Sequence, residues 1–252
     1  NKELYFTCLE HQGKINQLLE PVFKDNVFSL KPNSFNFENV QPNFSFNQFE
    51  GQIDTGKMME ALLRKAQQEN IKILNNCAVK QFDDDAHCVK VETDHFQFST
   101  KNLLIATNGF VNNLIEQPVK PARAQVLITK PIKDLHIKGT FHLDEGYYYF
   151  RNINNRILFG GGRNLDFKTE ETVEFGQTKI IQNKLKDLLK AIILPNTKFE
   201  IDYSWSGIMG VGAQKKAIVK QIGKHTYCGV RLGGMGIAIG SLVGKDLADL
   251  IE

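Results

Sequence analysis

The stretch "VRLGGMGIAIGSLVGKDLADLI", Val230–Ile251, decides the fold because it combines the end of a strand, a glycine-rich turn and a helix. A glycine within a helix costs about 0.8–1.0 kcal/mol relative to alanine, so five glycines in this stretch need a reason. Gly233 and Gly234 precede the apolar run, where a turn can bring bare backbone close to a ligand. The other three recur every fourth residue, at Gly236, Gly240 and Gly244.

Two interpretations of these glycines compete. Four-residue spacing places the last three on one helical face, which could pack tightly against a neighbouring strand or helix, or form a membrane dimerisation face. A strand, turn and helix could instead cradle a phosphate or another electron-rich group. The uncharged run from Leu232 to Gly244 has only 13 residues, whereas a membrane span needs roughly 20. A membrane face is therefore the poorer interpretation, and tight packing and a ligand-binding turn both stay open.

The composition is that of an ordinary soluble globular protein. The 252 residues are 42% apolar and 23% charged, with a formal net charge of +3, and the lysines are scattered. No nucleic-acid partner and no membrane association are therefore expected. The four cysteines form no CxxC pair, which indicates no metal site and a reduced, cytoplasmic location. Because the first residue is Asn1 and no signal peptide is visible, we expect a fragment.

The first half of the chain predicts half-buried strands, a helix and a small sheet. Residues 28–49 alternate Phe with Asn and Ser, the period of half-buried strands. The segment "IDTGKMMEALLRKAQQEN" predicts a helix capped by Asp54 or Thr55 and closed by Asn70. Its apolar stripe comprises Met58, Met59, Leu62, Leu63 and Ala66. The segments "IKIL", "AVKQF", "CVKVET", "FQFS" and "LLIAT" then predict strands, the last followed by an Asn108-Gly109 loop.

From Pro118 the pattern changes to longer antiparallel strands. "RAQVLITK", "EGYYYFRNI" and "NRILFGGGR" predict a second sheet, with a tight turn at Asn154-Asn155. A helix is predicted from about Thr172 to Ile193, and "FEIDYSWSGIM" and "HTYCGVRL" predict strands that return to the first layer.

Few side chains suggest chemistry by themselves. Trp205 and the run from Tyr147 to Tyr149 suit either a pocket or a core, and the sequence leaves both open. Arg151 and Arg231 suit either an anion clamp or solvated strand ends, and Arg123 is a weaker candidate. The six histidines form no pattern with serine, cysteine or a carboxylate, so we set hydrolase chemistry aside and assign no catalytic residue.

Taken in order, these blocks resemble the FAD-dependent amine and amino-acid oxidoreductases, the family of glycine oxidase, D-amino-acid oxidase and sarcosine oxidase. "EGQIDTGKMMEALLRKAQ", "NNCAVKQF" and "LLIATNGF" carry the resemblance in the first half, and "WSGIMG" and "GVRLGGMGIAIGSLVGKDLADLI" carry it in the second. The resemblance implies a mixed α/β and α+β fold, with a Rossmann-like FAD-binding domain that lacks its N-terminal segment. An antiparallel-sheet substrate domain would complete it. Residues 1–50 and 118–200 would form the substrate domain, and 51–117 and 201–252 the FAD-binding domain.

The same resemblance implies an amine oxidase-like reaction, in which a hydride passes from the carbon beside an amine to FAD and the imine is then hydrolysed. The backbone of Val79 would contact adenine. The residues beside the nucleotide and the flavin ring would be Thr107, Asn108, Gly109, Gly233, Gly234, Met235, Gly236 and Ile237. The substrate would be a small amine or amino acid, contacted by Tyr148, Arg151, Trp205, Met209 and Arg231.

Three departures from the family pattern limit these expectations. The phosphate-binding G-x-G-x-x-G and its acidic partner are absent, so we expect the isolated chain to be inactive and not to retain FAD. The carboxylate-binding arginine after "W-x-G" is replaced by the run Ile208 to Gly210, which slightly favours an amine without a carboxylate. "QKKAIV" replaces the family's D-x-x-P.

Two other functions stay open at this stage. A non-catalytic binding module could retain this fold without the cofactor. A flavin-free transferase-like or tRNA-modifying partner domain would be favoured by a basic stripe, and the sequence shows none.

Overall fold

The computed structural model describes residues 2–251 and shows mixed α and β structure divided between two compact units. The helices are α1 (Lys2–Phe23), α2 (Thr55–Gln68), α3 (Lys179–Leu188) and α4 (Gly236–Ala248). The first strands are β1 (Phe28–Pro32), β2 (Asn43–Asn47), β3 (Val79–Asp84), β4 (Val89–Thr93), β5 (Gln97–Thr100), β6 (Leu103–Ile105) and β7 (Lys120–Thr129). They are followed by β8 (Thr140–Leu143), β9 (Tyr148–Ile153), β10 (Arg156–Gly161), β11 (Ile201–Val211), β12 (Ile218–Gln221) and β13 (Thr226–Val230).

The first unit contains the larger sheet and comprises residues up to 53, 125–166 and 176–206. The sheet order is β11-β7-β10-β9-β8, and the pairs from β7 to β8 are antiparallel, as the sequence predicts. Asn154 and Asn155 join β9 to β10 with φ angles of 47° and 56°, the left-handed conformation of a tight hairpin turn. One face of the sheet packs against α3 in a core that includes Leu127, Phe150, Ile157, Phe159, Ile181 and Leu185.

The helix predicted from Thr172 begins later, at Lys179. Gly176 has a φ of 136°, outside the helical range, and Thr178 is extended. The chain can therefore enter the helix only after Thr178, and the predicted start was wrong. After Leu188 the helix continues as a π-helical turn over Leu189–Ile193, so the predicted end is confirmed.

The Phe-rich strands predicted within residues 28–49 are confirmed as β1 and β2, which form a hairpin, whereas α1 was not predicted. The hairpin strands are antiparallel, with Phe28 opposite Asn47. The buried Asn16 of α1 donates from Nδ2 to the Phe28 carbonyl and accepts the Phe28 N–H on Oδ1, both at 2.8 Å. Helix α1 has little apolar periodicity and contains Pro21, so its residues show no clear helical pattern.

The second unit comprises residues 54–124, 167–175 and the chain from 207 onward. Strands β3, β4 and β5 form the predicted antiparallel meander, and β12-β13-β6 form a second sheet in which β13 and β6 are parallel. Asp84 on β3 accepts hydrogen bonds from Thr226 Oγ1 at 2.9 Å and from the His225 N–H at 3.0 Å. Although desolvation opposes the effect, these bonds lower the pKa of the Asp84 carboxyl. The carboxylate therefore links the two sheets.

Helix α2 has the predicted start but leaves its apolar stripe uncovered. Asp54 caps it by accepting the N–H groups of Gly56 and Lys57, at 3.0 and 3.1 Å. Leu62 is 53% exposed, and no residue of α2 is buried among the described residues. The following "IKIL", residues 71–74, forms no strand, so this prediction was wrong. An apolar run gains strand structure only by pairing with a neighbour, and no strand within residues 2–251 pairs with this one.

Helix α4 packs through its branched side chains and not through its glycine face. Val243 and Leu247 are buried and lie over Gly229 of β13, where an added Cβ would be 3.0 Å from Leu247 Cδ2. An added Cβ at Gly240 or Gly244 would meet nothing within 4 Å. Tight packing of this glycine face is therefore not seen in the described chain. None of the helices within residues 2–251 is both long and apolar enough for a membrane crossing.

A buried ion pair holds the segment 167–175 within the second unit. The guanidinium of Arg123 donates to both carboxylate oxygens of Glu170, at 2.8 and 3.0 Å, and the Glu170 side chain is fully buried. The hydrogen bonds that Arg123 donates to Glu170 raise the pKa of the Arg123 guanidinium. Arg123 is therefore engaged inside the protein and does not serve as the anion clamp considered from the sequence.

Candidate functional site

Two loops of the second unit meet at one edge of its parallel strand pair. Strands β6 and β13 are parallel, with Ile105 opposite Cys228, so the segments that follow them leave the sheet at the same edge. The loop with Thr107, Asn108 and Gly109 follows β6, and the glycine-rich turn and α4 follow β13. Ligands of open α/β sheets bind at such carboxyl ends of parallel strands.

Asn108 fixes one loop against the other. Its Oδ1 accepts the backbone N–H of Leu232 at 3.1 Å. Its φ of 47° is left-handed, a conformation that asparagine tolerates better than most residues. The turn after β13 has the same character, with φ angles of 66° at Arg231, 59° at Gly233 and 82° at Gly234.

The end of β11 forms the third part of the site by backbone contact. An added Cβ at Gly109 would lie 2.7 Å from the Met209 carbonyl oxygen, and one at Gly210 would lie 2.6 Å from Asn108 Oδ1. The carbonyl of Gly210 accepts the Gly233 N–H at 2.9 Å. Gly109 and Gly210 are therefore required by close approach, and three chain segments form one cluster, which we call the three-loop cluster (107–109, 209–210 and 231–237).

The three-loop cluster presents unused backbone donors. Within residues 2–251, the N–H groups of Gly234, Gly236 and Ile237 have no hydrogen-bond acceptor, and Met235 provides no side-chain cap for α4. The positive end of the helix dipole adds to their field. Met235 and Ile237 are 51% and 53% exposed. This surface combines donors for an electron-rich group with apolar side chains for a flat one.

We expect Asn108→Ala to loosen the three-loop cluster. The substitution removes the acceptor of the Leu232 N–H and places alanine at a left-handed φ, which together should lower the free energy of unfolding by about 2 kcal/mol. Asn108→Gly removes the same acceptor but tolerates the backbone, so its loss should be about 1 kcal/mol smaller. Urea denaturation of both variants measures the difference. Equal stability of the wild type and both variants would contradict this role of Asn108.

Met209 and Arg231 both belong to the three-loop cluster, but the Arg231 side chain is engaged in contacts with other protein groups. The Met209 sulfur is 3.2 Å from a Cβ added at Gly234. Arg231 Nε donates to the Lys216 carbonyl at 2.8 Å, and its Cδ would be 2.7 Å from a Cβ at Gly212. Val79 begins β3 opposite Thr93, and among the described contacts none joins it to the cluster. Its assignment to adenine stays a prediction.

The remaining sequence candidates belong to the first unit. Tyr148 is 3% exposed and lies in the core, with its ring 6.3 Å from that of Phe159, and burial raises its pKa. Arg151 points to the other face of β9 and donates from Nη1 to the Ile53 carbonyl at 3.0 Å. Trp205 on β11 is 43% exposed. Substrate contact by these three residues stays a prediction, and core burial weighs against Tyr148.

Tyr149 is a candidate that the sequence left open as part of the aromatic run but did not assign to the substrate. It shares the face of β9 with Arg151, and Gly160 on β10 makes room for it. A Cβ at Gly160 would lie 2.8 Å from the Tyr149 hydroxyl and 2.5 Å from Val126 Cγ1. Burial raises the pKa of Tyr149. The two-residue period of a strand could have identified it, because that period separates Tyr149 and Arg151 from Tyr148.

A parallel strand pair with a glycine-rich turn and an uncapped helix start is typical of α/β proteins that bind nucleotide cofactors. The family model described as DAO, FAD dependent oxidoreductase, matches residues 25–250. The chain therefore belongs to the DAO family of FAD-dependent oxidoreductases.

Individual relatives are distant. The probable oxidoreductase OrdL of Haemophilus influenzae is 22% identical over 196 residues, a match that covers 72% of this chain and 43% of OrdL. The chain thus spans less than half the length of that relative. The L-proline dehydrogenase of P. horikoshii matches with a TM-score of 0.70 and 22% identity, over 83% of this chain and 58% of that one. The glycine oxidase of Geobacillus kaustophilus matches with a TM-score of 0.80 and 14% identity, over 96% and 67%. These likenesses establish the fold.

Proposed function

We propose that this chain forms the substrate-binding part and the flavin-facing part of an FAD-dependent oxidoreductase that oxidises an amine or an amino acid. The observation that carries the proposal is the three-loop cluster with its unused N–H groups at Gly234, Gly236 and Ile237. Family membership supports FAD as the cofactor. The names of the glycine oxidase and the L-proline dehydrogenase support amino-acid-like substrates.

The residues of the cluster fit a flavin ring. Bare backbone at Gly233 leaves space for a flat ligand, since an added Cβ there meets nothing within 4 Å. The free N–H groups and the start of α4 would stabilise negative charge on the electron-rich edge of the ring. When bound, FAD would be the acceptor of the hydride from the carbon beside the amine. The chain contributes orientation, exclusion of water by Met235 and Ile237, and electrostatic stabilisation.

The choice between an amine and an amino acid depends on the two arginines. A desolvated carboxylate needs a cationic partner, best supplied by a bidentate guanidinium. Arg231 is engaged with the Lys216 carbonyl and packs against Gly212, which supports a role in anchoring the turn. Arg151 has a backbone carbonyl as a partner and, within residues 2–251, no carboxylate. Arg151 is therefore the residue we propose to hold a carboxylate, if the substrate carries one.

A flavin-reduction screen of the full-length protein tests this function. The protein should show a flavin absorption band, and anaerobic mixing with its substrate should bleach it. The panel sets glycine, sarcosine, D-alanine and D-proline against monoamines and polyamines. With an amino-acid substrate, Arg151→Met should slow reduction about 100-fold, as expected for a lost charge-assisted contact. The exposed Arg64→Met in α2 is the matched control. A protein without flavin would instead indicate the non-catalytic binding module.

A further inference from the structure

A cavity of about 840 Å³ lies in the first unit, and none of its lining residues belongs to the three-loop cluster. It is formed by the β1-β2 hairpin, the segment 50–52 and residues 138–142. All of these residues belong to the same compact unit, so the cavity does not depend on the second unit. Its volume is within the range of small-molecule sites.

Five phenylalanines give this cavity an aromatic wall. The phenylalanines that line it are Phe28, Phe35, Phe44, Phe46 and Phe141. Phe35 fixes the arrangement, because its ring centroid is 6.1 Å from that of Phe44 and 5.1 Å from that of Phe141. Phe46 remains 40% exposed, so the apolar lining is open to solvent. Such a preformed aromatic wall suits the apolar body of a ligand.

The charges around the opening favour an anion. Lys31 and Lys138 both line the cavity and are exposed, and within residues 2–251 neither ammonium group forms an ion pair. The Lys31 Nζ lies 5.7 Å from the centroid of the Phe46 ring, so positive charge borders the aromatic wall. The single carboxylate of the lining, Glu50, accepts a hydrogen bond from Asn47 Nδ2 at 3.0 Å. Two unpaired cations and one hydrogen-bonded carboxylate leave a net positive site.

We propose that this cavity binds an amphipathic carboxylate, with an aromatic or aliphatic body against the phenylalanines and its carboxylate paired with Lys31 or Lys138. The ring stack around Phe35 would hold the body, and the lysines would select the head group. The lining residues all belong to the first unit, and the proposal does not rest on the proposed function.

Isothermal titration calorimetry of the chain with three isosteric probes tests the proposal. 4-Phenylbutanoate should bind about tenfold more tightly than 4-phenylbutan-1-ol, because a charge-assisted contact exceeds a neutral one by about 1.4 kcal/mol. 4-Phenylbutan-1-amine should bind more weakly than the alcohol. The double variant Lys31→Met, Lys138→Met should reduce the preference for the carboxylate over the alcohol to within about twofold. The exposed Lys133→Met is the matched control and should retain the preference.

A second variant separates loss of the site from loss of the fold. Phe44→Ala should weaken the carboxylate and the alcohol alike, by about tenfold. Phe6→Ala, at an exposed position outside the cavity, should leave both affinities unchanged. Circular dichroism confirms that each variant is folded. Equal affinity for the three head groups, no saturable binding, or insensitivity to Phe44→Ala would each overturn the proposal.

Discussion

Gly236→Asp is expected to lower the flavin content of the full-length protein about tenfold, because the new carboxylate would repel an electron-rich ring by about 1–2 kcal/mol. Gly236 is the first residue of α4, where an added Cβ would lie 3.3 Å from Leu232 Cδ1. The carboxylate would also accept hydrogen bonds from the free N–H groups at the start of α4, which would then be unavailable to the flavin. Visible absorption of the purified variant, relative to its protein concentration, gives the flavin content.

The fold should tolerate this substitution. An acidic residue near a helix start is favourable by about 0.3–1 kcal/mol. This gain offsets the close contact with Leu232, so the free energy of unfolding should change little. Gly244→Ala is the matched control, because a Cβ there meets nothing within 4 Å and alanine favours the helix. It should retain flavin. Undiminished flavin in Gly236→Asp would show that the ring does not lie at this helix start.

Glu170→Gln should have the largest effect on stability, about 3–5 kcal/mol, because it leaves the buried guanidinium of Arg123 without its counter-ion. A loss of this size is a large part of the 5–15 kcal/mol typical of folded proteins. Urea denaturation monitored by circular dichroism measures it. The neighbouring Glu171→Gln is a matched control, since the Lys120–Glu171 pair is 66% and 45% exposed and should contribute about 0–1 kcal/mol.

Replacing both partners distinguishes the missing counter-ion from a general packing defect. The double variant Arg123→Met, Glu170→Met removes both charges and retains apolar volume, so it should be more stable than Glu170→Gln alone. The backbone bond from the Arg123 N–H to the Glu170 carbonyl, at 2.8 Å, is available to both variants. If Glu170→Gln and Glu171→Gln lose equal stability, the buried pair does not have the importance inferred here.

Sequence reasoning worked where the pattern was local. The cap at Asp54 and the apolar stripe predicted α2, and Asn154-Asn155 predicted the turn between β9 and β10. It failed where structure depends on partners or on one backbone angle. Residues 71–74 have a strand pattern but no strand beside them within residues 2–251, and the left-handed φ of Gly176 delays α3.

The candidate site was predictable in outline only. Two glycine-containing loops after predicted strands indicated close ligand approach at Asn108 and Gly233, and the parallel pairing of β6 with β13 brings both loops to one edge. The contact of β11 through Gly210 requires tertiary knowledge that no local pattern contains. The choice between Tyr148 and Tyr149 depends on which face of β9 each residue occupies. The hydrogen bond from Arg231 to the Lys216 carbonyl joins residues 15 positions apart in the sequence, so no local pattern predicts it.

The close backbone contacts among Gly109, Gly210 and Gly233 have a consequence for the entropy of ligand binding. Loops that are ordered only by a ligand lose conformational freedom when it binds, and this loss subtracts from the affinity. Here glycine contacts and the Asn108–Leu232 hydrogen bond already order three segments as the chain folds. A ligand at this surface therefore meets a preorganised receptor, and most of the entropy of ordering is lost before it arrives.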